Sequence, residues 1–158
     1  DFNILDAGLG NDKLAGGKGV DLLIGGAGDD TYIHSIDGGH DQIKDSQGND
    51  TIHIAGDDIS ASQIRYQRSG DNLAVLLYQK GVAAGSKPVS SLSITGYFES
   101  DTNKIEHFSF SKKTGISKDT VDKLKSAMAS LNDGQYVSGE LVNGKAQVIQ
   151  SVLVKSAI

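Results

Sequence analysis

The sequence predicts an all-β-dominated fold, in which short strands wind through glycine-rich turns and give way to a β-rich cap with one α-helix. Three observations predict it. An aspartate and a large apolar residue recur on a nine-residue clock through the first third of the chain. The clock then stops near residue 55, where alternating apolar segments bounded by turn residues take over. A single stretch, 117–131, spaces its apolar residues by three and four, as a helix does.

The clock is read most easily as units. Residues 7–15 are AGLGNDKLA, 16–24 are GGKGVDLLI and 25–33 are GGAGDDTYI, with Asp12, Asp21 and Asp30 at the sixth position. After a two-residue slip at His34 and Ser35, units 36–44 (IDGGHDQIK) and 45–53 (DSQGNDTIH) restore the phase with Asp41 and Asp50. The eighth positions hold Leu14, Leu23, Tyr32, Ile43 and Ile52, and Asn3 with Leu5 keeps phase ahead of them. Gly8, Gly10, Gly17, Gly19, Gly26 and Gly28, at positions two and four, permit positive φ, so the chain can turn tightly and aim its carbonyls inward. The sixth-position carboxylate then stands beside a ring of carbonyl oxygens. Many hard oxygen ligands, partly backbone, suit Ca2+, whereas zinc would want His or Cys. Three residues of strand follow each turn, and alternation is expected to send only the eighth into the interior. Two units make one coil with a strand on each side. A flexible linker is the bland alternative, but a linker has no reason to hold apolar residues in a fixed phase.

This pattern, G-G-x-G-x-D-x-U-x, resembles the RTX or haemolysin-type calcium-binding repeat. Units 16–24 and 25–33 match at every defining position, with tyrosine as the large apolar residue of the second. Unit 7–15 has Ala7 for the first glycine, and the last two units keep Gly39 and Gly48, the aspartate and the apolar residue. The resemblance implies a parallel β-roll, a nonapeptide β-solenoid, in which each Ca2+ is shared between same-side turns two units apart. On that reading Asp12 faces Asp30, Asp21 faces Asp41 and Asp30 faces Asp50. Carbonyls of the six glycines named above complete the shells.

Composition divides the chain in the same place. Residues 1–60 hold twelve Asp, no Glu and three Lys, a net of −9, while residues 61–158 hold eight acidic and twelve basic residues, a net of +4. Their sum is the −5 of the whole chain. Closely spaced carboxylates repel and glycines are entropically costly to order, so the roll is expected to be unfolded without calcium. The expected organisation is a roll over 1–54, a β-rich cap over 55–112, and a helix with a hairpin tail over 113–158. Within the cap, QIRYQR (63–68) and NLAVLLYQ (72–79) read as a hairpin around Ser69-Gly70-Asp71, followed by strands SLSITGYF (91–98) and KIEHFSF (104–110).

The cap stretch is similar to the haemolysin-related segment that follows the repeats in many RTX proteins, through Asp71 with Leu73, Ile94 with Tyr97 and Phe98, and Ile105, Glu106 and Phe108. Tyr66, Val75 and Leu77 add to its apolar mass, which is suited to covering the open end of a solenoid. In 117–131, Ser117 is the expected N-cap, Asp119 lies in the first turn, and Val121, Leu124, Met128 and Leu131 form the stripe, stopped by Asn132-Asp133-Gly134. Such a stripe usually means packing on a core; the competing reading is part of an export signal. The tail reads as a hairpin turned at Asn143-Gly144.

The expected function is a calcium-responsive folding and secretion module at the C-terminus of a large exported protein such as an adhesin or toxin. Extracellular modules bind Ca2+ at roughly 0.1–1 mM, so the roll would stay open in the cell and fold outside it. The RTX resemblance implies export from a Gram-negative bacterium by type I secretion machinery with an uncleaved C-terminal signal, the tail 113–158 being the candidate. No N-terminal signal peptide and no run long enough to span a bilayer is present, and the absence of cysteine fits an exported protein held by calcium. Direct membrane insertion is not expected, and a monomer is. Catalysis is not expected either: no G-x-S-x-G occurs, Glu99, Glu106 and Glu140 form no evident pair, and His34, His40, His53 and His107 read as solvated or locally hydrogen-bonded. Any activity would lie in an upstream part of a longer chain. The alternative function is an accessory module that grips a carbohydrate or surface, but Lys13, Lys18 and Lys44 are too scattered to make a basic stripe. The same charge argues against nucleic acid.

Overall fold

The computed structural model describes residues 1–56, 59–81, 86–100, 103, 105–110, 118–139 and 145–150. The nonapeptide units contribute six short strands: β1 (Ile4–Asp6), β2 (Lys13–Leu14), β3 (Leu22–Ile24), β4 (Thr31–Ser35), β5 (His40–Lys44) and β6 (Thr51–Ala55). Successive strands alternate between two sheets. β1, β3 and β5 pair in parallel in one, and β2, β4 and β6 in the other. The architecture is a parallel β-roll, as the sequence predicts.

The slip at His34 and Ser35 is absorbed without breaking the stack. Facing residues are 18 apart in the first coils and 20 apart after the slip, and both sheets take the same offset. The extra residues lengthen β4, and β6 answers them through His34↔Ile54 and Ser35↔Ala55. Leu5↔Leu23↔Ile43 and Leu14↔Tyr32↔Ile52 therefore remain in register. From Leu14 onward these eighth residues are all buried.

One expectation is overturned. The eighth residue is not alone in facing inward, because the sixth has the same parity along the strand. Asp21, Asp30, Asp41 and Asp50 are no more than 3% exposed. A file of carboxylates thus lies inside the fold, next to the apolar file.

After the roll the chain continues both sheets. β7 (Ile64–Ser69) and β8 (Asn72–Leu77) form the expected antiparallel hairpin, turned at Gly70. β9 (Ser90–Ile94) pairs antiparallel with β8 on one edge and parallel with β5 on the other. The expected strand 91–98 ends early because Gly96 takes a φ of +68° and turns the chain. β10 (His107–Phe110) starts three residues later than expected and lies parallel on β6. Beyond it come α1 (Lys118–Met128), β11 (Gln135–Ser138) and β12 (Val148–Gln150). β11 pairs antiparallel with β7 and β12. Among the described residues the sheets are ordered β1-β3-β5-β9-β8-β7-β11-β12 and β10-β6-β4-β2.

The apolar core runs unbroken from the roll into this end. Tyr66 and Phe108 meet edge to face at 5.6 Å, and Ile64, Leu73, Val75, Leu77, Leu92, Ile94 and Ile105 are buried with them. Leu124 and Met128 of α1 join the same core, as does Leu131 just past the helix. That placement matches a helix packed on the cap. Ser117, the side chains of Asp119 and Val121, and the Asn143-Gly144 turn lie outside the described residues.

Two turn glycines separate backbone strain from stacking. Gly8 and Gly26 both hold positive φ, +82° and +90°. A Cβ on Gly8 would meet nothing within 4 Å, whereas one on Gly26 would lie 2.1 Å from the Gly8 carbonyl oxygen. Gly8→Ala is expected to cost about 1 kcal/mol through strain alone. Gly26→Ala should lose a further ~1–3 kcal/mol, because the coils must part to admit the methyl group. Urea unfolding of both variants in calcium measures the difference, and equal losses would disprove tight contact between the turns.

Candidate metal centre

Each sixth-position aspartate is tied to the coil before it. The Asp12 N–H donates to Asp30 Oδ1 at 2.9 Å, the Asp21 N–H to Asp41 Oδ1 at 3.0 Å and the Asp30 N–H to Asp50 Oδ1 at 2.8 Å. The Asn3 N–H donates to Asp21 Oδ1 in the same way. Asp12 is thus brought to Asp30, Asp21 to Asp41 and Asp30 to Asp50, as two ladders on opposite sides of the roll. An outer file at the fifth position runs in the opposite sense, with the Asp29 N–H on Asn11 Oδ1 and the Asn49 N–H on Asp29 Oδ1.

The second carboxylate oxygen is the informative one. Oδ2 of Asp12, Asp21, Asp30 and Asp50 is buried and has no hydrogen-bond partner among the described residues. A buried acceptor left unpaired costs about 1–3 kcal/mol, and more when charged. The first glycine of the unit makes room for that oxygen: a Cβ at Gly16 would lie 2.4 Å from Asp21 Oδ2, and one at Gly25 2.4 Å from Asp30 Oδ2.

Around these oxygens the glycine carbonyls are close but partly engaged. Gly8 O accepts from the Ala27 N–H, Gly19 O from the His40 N–H and Gly26 O from the Ser46 hydroxyl. Each carbonyl keeps a second lone pair. Gly10 O and Gly28 O press on the next coil, where a Cβ on Gly28 or Gly48 would come within 2.1 or 1.8 Å of them. Gly17 holds a φ of +77° with open space beside it. Unpaired anionic oxygens beside backbone carbonyls fit a hard cation such as Ca2+. When bound, it would supply the positive charge that these facing carboxylates lack. The residues that would hold it are the ladder aspartates, with the turn carbonyls next to them.

The electrostatics agree with the geometry. Burial raises Asp30 above the ordinary carboxylate range. Burial, followed by the charges of Asp45 and Glu106, pushes Asp50 up to about 7. Asp41 rises to about 6, again chiefly through burial.

Asp41 differs from the other rungs. Its Oδ2 faces Nδ1 of buried His34 at 3.1 Å, inside a cleft lined also by Ala15, Gly17 and Gly38. Burial lowers His34 to about 4, so the ring is neutral near pH 7 and donates from Nδ1 to the carboxylate. His34 therefore takes the oxygen that the other turns leave open. It is locally hydrogen-bonded, as one of the sequence readings had it, and not solvated.

Two acidic residues have a place beside the ladders that the repeat pattern does not mark. Glu106 is the next rung after Asp50: the Asp50 N–H donates to Glu106 Oε2 at 2.7 Å, and β10 continues the register through His107↔Thr51 and Phe108↔Ile52. The signal was present as an acidic residue two before an apolar one, without the glycines. On the opposite side Leu92 stands across from Asp41, so that ladder ends on an apolar residue. Asp45 occupies the first position of its unit, where Gly16 and Gly25 stand in theirs. One oxygen each from Asp30, Asp45 and Asp50 lie within 4.8 Å of one another, and all three residues are buried.

Carboxylates raised above the unfolded value of about 3.9 stabilise the metal-free fold only while protonated. That contribution is complete below about pH 4 and is lost as the pH climbs through about 6 at Asp41 and about 7 at Asp50. In chelator, the β signal in circular dichroism is thus expected to grow on acidification from about pH 8 to about pH 5. Calcium binding at a given free concentration should weaken over the same range, because protons compete for the same oxygens. A chelated sample whose β signal instead rises with pH would contradict this account.

The profile of the RTX calcium-binding nonapeptide repeat, in four copies, matches residues 1–32 and 35–53. Its interruption falls at the slip that lengthens β4. No curated protein matches the chain. Among the described residues, no helix is long and apolar enough to cross a membrane. The matched residues are those that carry the aspartate ladders, so the roll is similar to RTX calcium-binding nonapeptide repeats.

Proposed function

We propose that this chain is a calcium-induced folding and secretion module at the C-terminus of a large exported bacterial protein, an adhesin or toxin. The observation that carries the reading is the file of buried carboxylate oxygens with no partner. A fold that places like charges inside itself is unstable until a cation joins it. Affinities of roughly 0.1–1 mM, usual for extracellular modules, keep such a chain open in the cytosol and close it outside. An open chain is what a type I secretion channel passes, which makes that machinery the partner of this reading. Residues 113–158 are its candidate signal.

The cap 55–112 has a defined part in this reading. It adds a strand to each sheet of the roll, and its Glu106 takes the N–H of Asp50. Folding then starts from the apolar end and runs up the ladder as calcium neutralises each turn. The region works as a monomer without catalysis of its own, and its −9 over residues 1–60 keeps it from nucleic acid.

Circular dichroism tests the switch. Calcium is expected to produce the β signal at neutral pH, and chelator to abolish it. A fragment 1–55 should need several-fold more calcium than the whole chain, because it lacks the cap. A chelated chain that keeps its β signal at neutral pH would refute the switch, and a fragment folding at the same calcium level would refute the role of the cap.

A further inference from the structure

Asp45 stands at the position that Gly16 and Gly25 hold in the two complete repeat units. In units 16–24 and 25–33 a Cβ at the first position would collide with the sixth-position Oδ2. In unit 45–53 that position carries a second carboxylate, and the structure accommodates it by holding each of its oxygens. Asp45 Oδ1 accepts the Ser46 N–H at 2.7 Å and the Gln47 N–H at 3.2 Å, and Oδ2 accepts the Tyr32 hydroxyl. The side chain is fixed beside Asp30 and Asp50, whose Oδ2 atoms are buried and unpartnered. Asp30 is 1% exposed and Asp50 0%. Arg68 pairs with Asp71, away from this cluster.

We propose that Asp45 turns the Asp30–Asp50 turn pair into a three-carboxylate cation site, the tightest in the roll and the first to fill. This rests on the reading of the roll as calcium-responsive. Affinity of oxygen sites for hard cations rises with ligand charge and rigidity, and here a third carboxylate is pinned by three donors. Elsewhere the paired turns bring two carboxylates together. The site sits at the last turn before Glu106 and the cap, so the first cation bound joins the roll to its apolar end.

A trivalent lanthanide suits three carboxylates still better, and Tyr32 is hydrogen-bonded to one of them. Terbium titration of the whole chain, excited through tyrosine, therefore reads this site directly. The wild type is expected to show an early sensitised phase that calcium competes away. Tyr32→Phe should remove most of that emission while Tb3+ still displaces calcium. Asp45→Gly restores the repeat's glycine, and Asp45→Asn keeps the shape without the charge. Both should still fold in excess calcium, with terbium affinity in the early phase lowered roughly tenfold or more. An early phase unchanged in both variants overturns the proposal while leaving calcium-induced folding intact. Absence of any calcium-dependent β signal in the wild type overturns the reading beneath it, and the proposal with it.

Discussion

A carboxylate at the sixth position of each repeat shares a face with the apolar eighth residue, and the rest of the structure follows from that parity. A strand cannot send residue eight inward without sending residue six the same way. Each coil therefore carries a negative charge into the fold at its rim. The backbone answers one oxygen, through the N–H of the preceding coil. The other oxygen has no answer among the described residues at Asp12, Asp21, Asp30 and Asp50. The glycines serve the same geometry: the first clears space for the carboxylate, and the second and fourth let successive turns stack against one another's carbonyls.

The two sides of the roll meet this constraint differently. On the side of β2, β4 and β6, the ladder runs from Asp12 through Asp30 and Asp50 to Glu106, so charge persists to the junction with the cap. On the side of β1, β3 and β5, the file passes from Asp21 to Asp41 and ends against Leu92. There the slip has brought in His34, which supplies from the chain itself a donor for the oxygen that would otherwise be open. One ladder keeps unpartnered oxygens among the described residues, and the other is closed by His34 at Asp41.

The cap is an extension of the roll by other means. β9 and β10 take the places of the next two repeat strands, in parallel and in register, without the glycine turns. Their side chains exchange the repeat's aspartate and aliphatic residue for Leu92 with Ile94 and Glu106 with Phe108. The aromatic mass at Tyr66, Tyr97 and Phe108 then closes the apolar interior where the coils end. The aspartate-lined turns and the apolar end are thereby joined through continuous sheets.

The sequence by itself determined the period, the identity of the buried eighth residues, the positions of Asp12, Asp21, Asp30, Asp41 and Asp50, and the oxygen chemistry they imply. All of these are local, set by glycine conformation and strand alternation within nine residues. It also made the hairpin at Gly70 and the packed helix legible, since each has its own turn or period. What only the tertiary structure decided were the partners. Glu106 joins Asp50 across 56 residues, and Tyr32 reaches Asp45 from the neighbouring coil. His34, which stands in the slip, reaches Asp41 from a different strand of the roll. Stacking brings distant residues to hydrogen-bonding distance, and no pattern within a single unit contains that information.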